Sequence, residues 1–224
     1  MTYSVTDRLS QATLDHAFSH LPHISTRSVF KRALDVAGAL VGLAILSLLY
    51  VPVAIAIRLD SPGPILYCQE RYGLQGRPFR IWKFRSMVSN ADDLKASIAN
   101  EAQGLIFKNA KDPRVTRVGQ FLRKTSLDEF PQFWNVLKGD MSLVGTRPPT
   151  ADEVSHYSDR HWRRLDVRPG LTGQWQVSGR SAIKDFEEIV DLDLHYQLHW
   201  TPIYDVKLLV KTVTTLLSKR SGAC

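Results

Sequence analysis

The sequence predicts an α/β, mostly helical fold associated with a membrane, and three stretches carry that reading. From Val36 to Ile57 no residue is charged, and a helix of that length reaches about 33 Å, enough for a hydrocarbon core. Ile65 to Gln69 and Phe79 to Phe84 are short strand-like runs joined by a loop holding Gly73 and Gly76, the pattern of a β-hairpin. Behind the adjacent acids Asp128 and Glu129, Phe130, Phe133, Trp134 and Leu137 recur at helical spacing.

In chain order, residues 1–30 form a polar tail rich in Ser, Thr and His, without the apolar core of a secretory signal. His16, His20 and His23 are spaced too loosely to predict a metal site. Residues 31–60 form the membrane helix. Lys31 and Arg32 flank one end and Arg58 the other, so charge bias sets no orientation across a bilayer. Pro52 removes a helical hydrogen bond and favours a kink, which lets the helix enter and return on one side. By pattern alone a straight spanning helix remains equally open.

Asp60-Ser61-Pro62-Gly63-Pro64 ends the helix with turn chemistry, and residues 61–224 form the main domain. Its hairpin carries Arg71, Arg77, Arg80, Lys83 and Arg85, a basic cluster suited to lipid head groups or to a phosphate. Ala91 to Ala102 reads as a solvated helix. Arg168 to Gly173 is a turn leading to an extended run, Gln174 to Val177, and then to Gly179-Arg180. Residues 183–199 read as a helix whose acids form a solvated face. Tyr204 to Ser218 is amphipathic and suits either a membrane interface or packing on the core.

The formal charge of +7 and pI near 9.5 imply an acidic partner: nucleic acid, an anionic membrane or a phosphorylated small molecule. Cys68 and Cys224 give neither a disulfide framework nor metal-ligand spacing, as expected for a reducing compartment.

The stretch from Lys124 to Pro149 concentrates the chemistry. Pro131 is tolerated in a first helical turn, which predicts a helix starting at about Leu127 to Glu129, with both acids at its positive end. Acids there can be plain dipole partners, or Ser126 and Glu129 can form a capping box. Their surroundings favour more: Lys108, Lys111, Arg114, Arg117, Arg123 and Lys124 precede them, and Arg147 follows on a proline-stiffened loop. A carboxylate pair among cations can hold a divalent metal and a phosphorylated substrate together.

Lys83-Phe84-Arg85-Ser86-Met87, the run from Asp112-Pro113-Arg114 to Gly119, the run from Leu122 to Gln132, the run from Asn135 to Gly145, and Arg168 to Gly173 stand in an order that carries a family likeness. From about Lys31 to Leu217 the chain resembles the minimal catalytic form of the bacterial sugar transferases, monotopic polyprenyl-phosphate sugar-1-phosphate transferases that initiate surface-polysaccharide assembly. The resemblance implies transfer of a sugar-1-phosphate from a UDP-sugar to undecaprenyl phosphate, with release of UMP. It implies Asp128 as the nucleophile that forms an aspartyl phosphosugar, Glu129 as its partner acid, and Mg2+ on the pair. Lys83, Arg85 and Arg147 are implied phosphate contacts, with Arg114, Arg123 and Lys124 behind them; Thr146 stands where the family's loop has proline. The helix is implied to re-enter at a Ser-Pro pair, here Val51-Pro52, leaving residues 61–224 as a catalytic domain on the cytoplasmic face of the inner membrane.

Glucose or galactose is the expected sugar, with N-acetylated or deoxyamino sugars as the alternative. Expected partners are the UDP-sugar, undecaprenyl phosphate and membrane lipids; monomer and homodimer both fit. A membrane-tethered basic binding protein without catalysis is the competing class, but no nucleic-acid-reading motif is evident. An aspartyl phosphatase would place a second acid two residues after Asp128, where Phe130 stands.

Overall fold

The computed structural model describes residues 21–179 and 182–217; the readings made for His16, His20, Arg180 and Cys224 lie outside them. Helix dominates, with one antiparallel hairpin and one two-stranded parallel pair. Helix α1 spans Val29–Asp60, with Pro52 inside it. Its start is set by Ser28, whose hydroxyl accepts a hydrogen bond from Lys31 N at 3.2 Å. The end of the tail is therefore structured: Ile24–Arg27 forms a 3₁₀ turn, and His23 N donates to Asp166 O at 2.9 Å.

By length and composition α1 is apolar enough to cross a membrane, and one face is buried towards each of its two ends. Lys31, Asp35, Ala39, Gly42, Ala54 and Ile57 are buried, and Leu46 and Val53 pack against a cluster of Ile57, Phe84 and Leu122. That is the stripe expected of a helix laid on a core. The opposite face exposes Leu40, Val41, Leu48, Val51, Ile55 and Leu59. Polar anchors hold the first turns: Lys31 Nζ reaches Asp205 Oδ2 at 2.7 Å and Val144 O at 2.8 Å, and Asp35 accepts from Ser142 Oγ and Leu143 N, each at 2.8 Å. Charges this deep persist only when paired.

Strands β1 (Leu66–Tyr72) and β2 (Pro78–Phe84) pair antiparallel, Leu66 opposite Phe84 and Tyr72 opposite Pro78. Helix α2 (Arg117–Thr125) starts at Thr116, whose hydroxyl accepts from Gly119 N at 3.0 Å, while Asp60 Oδ2 accepts from Val118 N at 2.9 Å. Gly119 is needed here because a Cβ would lie 2.0 Å from Ser86 O. Helix α3 (Phe133–Lys138) ends at Gly139, and Arg32 donates to the late carbonyls of Val136 and Leu137 at 2.8 and 2.7 Å, a cation at a helix C-terminus.

Strands β3 (Ser142–Val144) and β4 (Gly170–Thr172) run parallel, Ser142 beside Gly170 and Val144 beside Thr172. Their backbones meet so closely that a Cβ on Gly170 would lie 2.1 Å from Gly145 N. Helices α4 (Phe186–Leu198) and α5 (Pro202–Leu217) complete the fold. The largest core joins Ala39, Val136, Met141, Leu143, Val144, Tyr196 and Leu208, tying α1 to α3, β3, α4 and α5.

Two expected elements differ. The predicted helix over Ala91 to Ala102 stops early: Ala91–Leu94 is one turn and Lys95–Ser97 a 3₁₀ turn. Asn100 explains the break, because its side chain bonds Ile106 O, Ala102 N and Lys108 N and so offers the backbone another partner than a helix. Gln174–Val177 is a helical turn, not an extended run; the strand lies just before it, in β4.

Candidate active site

Ser126 ends α2 in the left-handed region at φ 56°, a conformation uncommon outside glycine. The turn it makes starts a six-residue 3₁₀ segment, Leu127–Gln132, which carries Asp128, Glu129 and Pro131. The expected α-helix therefore begins later, at Phe133. Both acids still lie in a first turn, but of a 3₁₀ helix, whose short run contributes little dipole. Trp134, read as part of the apolar face, is half exposed, and Val136 takes the core position.

Asp128 is 6% exposed. Glu129 Oε1 accepts from Lys83 Nζ on β2 at 3.0 Å. Arg123 on α2 donates from Nε to Ser86 Oγ at 2.9 Å, a contact that the close Gly119–Ser86 approach makes reachable. Burial lowers the Arg123 pKa, while Asp128 and Asp112 pull the other way. These side chains line a cleft of about 830 Å³ between the hairpin, the loop before α2 and the loop after β3, a volume suited to a small-molecule ligand.

Lys83, Arg85, Arg114, Arg123 and Arg147 all line this cleft with Asp128 and Glu129. Lys124 is exposed on α2 and stands outside the lining. Several of the cations also hold the scaffold. Arg85 donates to Ser61 Oγ, Pro62 O and Ser61 O at 2.9, 2.7 and 2.8 Å, fastening the turn that ends α1. Arg114 forks onto Asp112 at 2.7 to 3.2 Å and lies over the Phe107 ring. The hydrogen bond from Arg114 holds the Asp112 carboxyl below its usual range.

Arg147 makes a two-pronged pair with Glu153, at 2.7 and 3.1 Å. Burial alone would raise the Glu153 pKa; Arg147 more than offsets it and keeps the carboxyl low. Beneath lies Arg164, fully buried, bonded to Asp193 Oδ2 at 2.9 Å from Nε and to the Tyr157 hydroxyl. Thr146, in the family's proline position, donates from Oγ1 to Arg164 O at 3.0 Å, so a side-chain bond ties down the loop. The loop is also stapled to β1: Arg71 NH1 donates to Pro148 O and Tyr72 N to Pro149 O, each at 3.0 Å.

Arg71, Gln132 and Glu153 also line the cleft but lay outside the residues singled out for the site. Arg71 is lowered to about 10 by burial and by Arg147 beside it. Its place in the basic hairpin was a usable signal; Glu153, six residues after Arg147 in sequence, was not singled out because nothing local shows the intervening loop folding back to pair them. The acids of α4 divide in the same way. Glu187 and Asp191 pair with Arg160 at the surface, whereas Asp193 is buried on Arg164, contrary to a wholly solvated face.

Among the described residues no three His, Cys, Asp or Glu side chains group as a metal site. Two adjacent carboxylates nevertheless fit Mg2+, which takes one or two protein carboxylates and completes its shell with phosphate and water.

The chain thus shows a basic cleft around buried Asp128 and partly exposed Glu129, on a helical fold with an apolar N-terminal helix. The bacterial sugar transferase family matches residues 26–219, and the chain belongs to it. The galactosyl transferase CpsE of Streptococcus agalactiae is 47% identical over 204 residues, covering 90% of this chain and 44% of the relative. The undecaprenyl-phosphate galactose phosphotransferase of Salmonella typhimurium is 43% identical over 199 residues, covering 86% of this chain and 41% of the relative. The chain thus spans less than half the length of these two relatives. The exopolysaccharide production protein ExoY of Sinorhizobium fredii is 37% identical over 200 residues, covering 87% of this chain and 88% of the relative.

Proposed function

We propose that the protein transfers a sugar-1-phosphate from a UDP-sugar to undecaprenyl phosphate, the first step of surface-polysaccharide synthesis. The observation that carries this reading is Asp128, buried in a basic cleft beside Glu129 and Arg123. An Asp128 oxygen attacks the sugar-proximal phosphorus, the bond from that phosphorus to the bridging oxygen breaks, and UMP leaves. An oxygen of undecaprenyl phosphate then attacks the same phosphorus and frees the carboxylate, so the two substrates visit in turn. Lys83, Arg123 and Arg147 offset the phosphate charge, while Arg85 and Arg114 shape the walls on which these contacts depend. Asp128 and Glu129 would hold Mg2+, which would supply further charge neutralisation at the diphosphate. The names of the relatives at 47% and 43% identity support galactose, a hexose, over an N-acetylated sugar.

The membrane arrangement belongs to the same proposal. Helix α1 is seated on the body at both ends, through Lys31, Asp35, Ala39 and Gly42 and again through Ala54 and Ile57, while no residue from Leu43 to Val53 is buried. We therefore read α1 as entering and leaving on the cytoplasmic face of the inner membrane, bent at Pro52, with its outer face in lipid. Exposed Phe121 on α2 and Trp134 on α3, the helices on which α1 packs, extend that apolar side.

The test is UMP release by protein in detergent with Mg2+, UDP-galactose or UDP-glucose, and undecaprenyl phosphate. Lipid-dependent turnover is expected, together with a covalent sugar-phosphate adduct when the lipid is omitted; both disappear in Asp128→Asn. Wild-type turnover in that variant would overturn the nucleophile assignment.

A further inference from the structure

Part of the cleft lining is not used by the phosphate chemistry. Gly170, Leu171, Trp175, Gln176 and Ile189 belong to that lining. Trp175 is 7% exposed, its ring packed among Ile106, Ile183 and Phe186. Lys108 Nζ sits 5.1 Å from the ring centroid and is itself bonded to Ile183 O, so that cation is already engaged. What remains is the indole N–H. Trp175 Nε1 is buried and has no hydrogen-bond partner among the described residues, and Gln176 Oε1 is in the same state. A buried tryptophan N–H normally finds an acceptor, and leaving one unmet carries the full desolvation penalty. Neighbouring residues of the cleft lining thus hold one unmet donor and one unmet acceptor, with the engaged Lys108 as a nearby charge.

We propose that Trp175 and Gln176 form the subsite that reads the hydroxyl groups of the transferred sugar, an inference that rests on the donor being a nucleoside diphosphate sugar. A hydroxyl both donates and accepts, so a sugar ring meets both needs at once. A site built on such bonds discriminates strongly against an epimer or derivative that misplaces the group. Selection among sugars is then made at Trp175 and Gln176, while the cations around Asp128 treat all donors alike.

Trp175→Phe keeps the ring and deletes the N–H; Gln176→Leu deletes the acceptor. For each, kcat/KM is measured with UDP-glucose, UDP-galactose, UDP-N-acetylglucosamine and UDP-N-acetylgalactosamine, alongside the inhibition constant of UMP and the melting temperature. The expected result is a loss of about tenfold with the preferred donor, a smaller loss with the others, and an unchanged UMP constant. Melting of ligand-free Trp175→Phe should equal or exceed wild type, since an unmet donor is gone. An equal loss with every donor and weakened UMP inhibition would make this the uracil site and overturn the proposal. An unchanged donor ratio would also overturn it, reducing the two atoms to partners of water. Wild type that releases UMP from none of the four donors would sink the transferase reading itself, a result distinct from both.

Discussion

Arg123 and Arg164 are the same side chain at two depths. Arg164 is fully buried and its guanidinium is consumed inside the protein, by Asp193 and Tyr157. Burial alone would lower its pKa, but Tyr157 and Asp193 reverse this and raise it. Arg123 gives one bond to Ser86, lies near Asp128 and faces the cleft, and its pKa is lowered by burial. A guanidinium matched inside the fold holds structure; one only partly matched at a cavity wall is left to meet an anionic ligand. The comparison extends to the acids, with Asp128 in the cleft and Asp193 under Arg164.

The sharpest way to break this contrast is to remove one charged side chain from each region. Asp128→Asn should reduce UMP release by at least about 10³-fold, as expected for a lost nucleophile, while thermal melting stays at or near wild type. Arg164→Met should do the reverse. Leaving Asp193 buried without its partner should cost about 3–5 kcal/mol of stability by denaturant titration. Near-wild-type stability in Arg164→Met would mean that the closed network holds nothing.

The pH dependence tests the boundary between the regions, at Glu153. Its folded pKa is held below the ordinary glutamate value of 4.5. A depressed acid contributes stability that is present above the unfolded pKa and lost as pH falls through the folded one. Unfolding free energy should therefore drop below about pH 4. Glu153→Gln should be less stable than wild type at pH 7 by about 2 kcal/mol, with the gap closing as pH falls through the lowered folded pKa. A constant gap would locate the acid sensitivity elsewhere.

Much of this arrangement was legible beforehand because its causes are local. The uncharged run of α1, the hairpin with its glycines, and the Asp128–Glu129 pair before an apolar pattern are written in neighbouring residues. The remainder depends on partners distant in sequence. Nothing near Gln174 reveals that the strand is Gly170–Thr172, because its pairing residues are Ser142 to Val144. Nothing near Asp193 marks it as the buried acid of α4, because Arg164 comes from another element. Arg85 looked like a phosphate ligand by charge, yet its bonds go to Ser61 and Pro62, a contact visible only once α1 folds back on the hairpin. The left-handed Ser126 that turns the chain into the acidic segment is equally silent, since serine carries no special signal for positive φ.

A smaller effect separates holding a ligand from holding the fold. Lys83 pairs with Glu129 at the cleft wall, both side chains partly exposed. Lys83→Met should change stability by less than about 1 kcal/mol but lower kcat/KM about tenfold by removing charge from the phosphate region. Its activity should also depend less on salt than that of wild type. Equal losses in stability and activity would move Lys83 into the same group as Arg164.

The smallest effect is expected where the chemistry is the same but water is present. Arg160 bonds both Glu187 and Asp191, as many acids as any arginine among the described residues, and its side chain is 42% exposed. Solvent screens such pairs, and ordering long side chains offsets much of the attraction. Arg160→Ala should therefore cost only about 0.5 kcal/mol and leave UMP release unchanged, with the difference shrinking further in high salt. A loss approaching that of Arg164→Met would show that partner count, not burial, decides what an arginine contributes here. If the small loss is found, Arg160, Arg123 and Arg164 form a series in which burial and matched partners separate a solvated pair, a ligand-facing cation and a structural one.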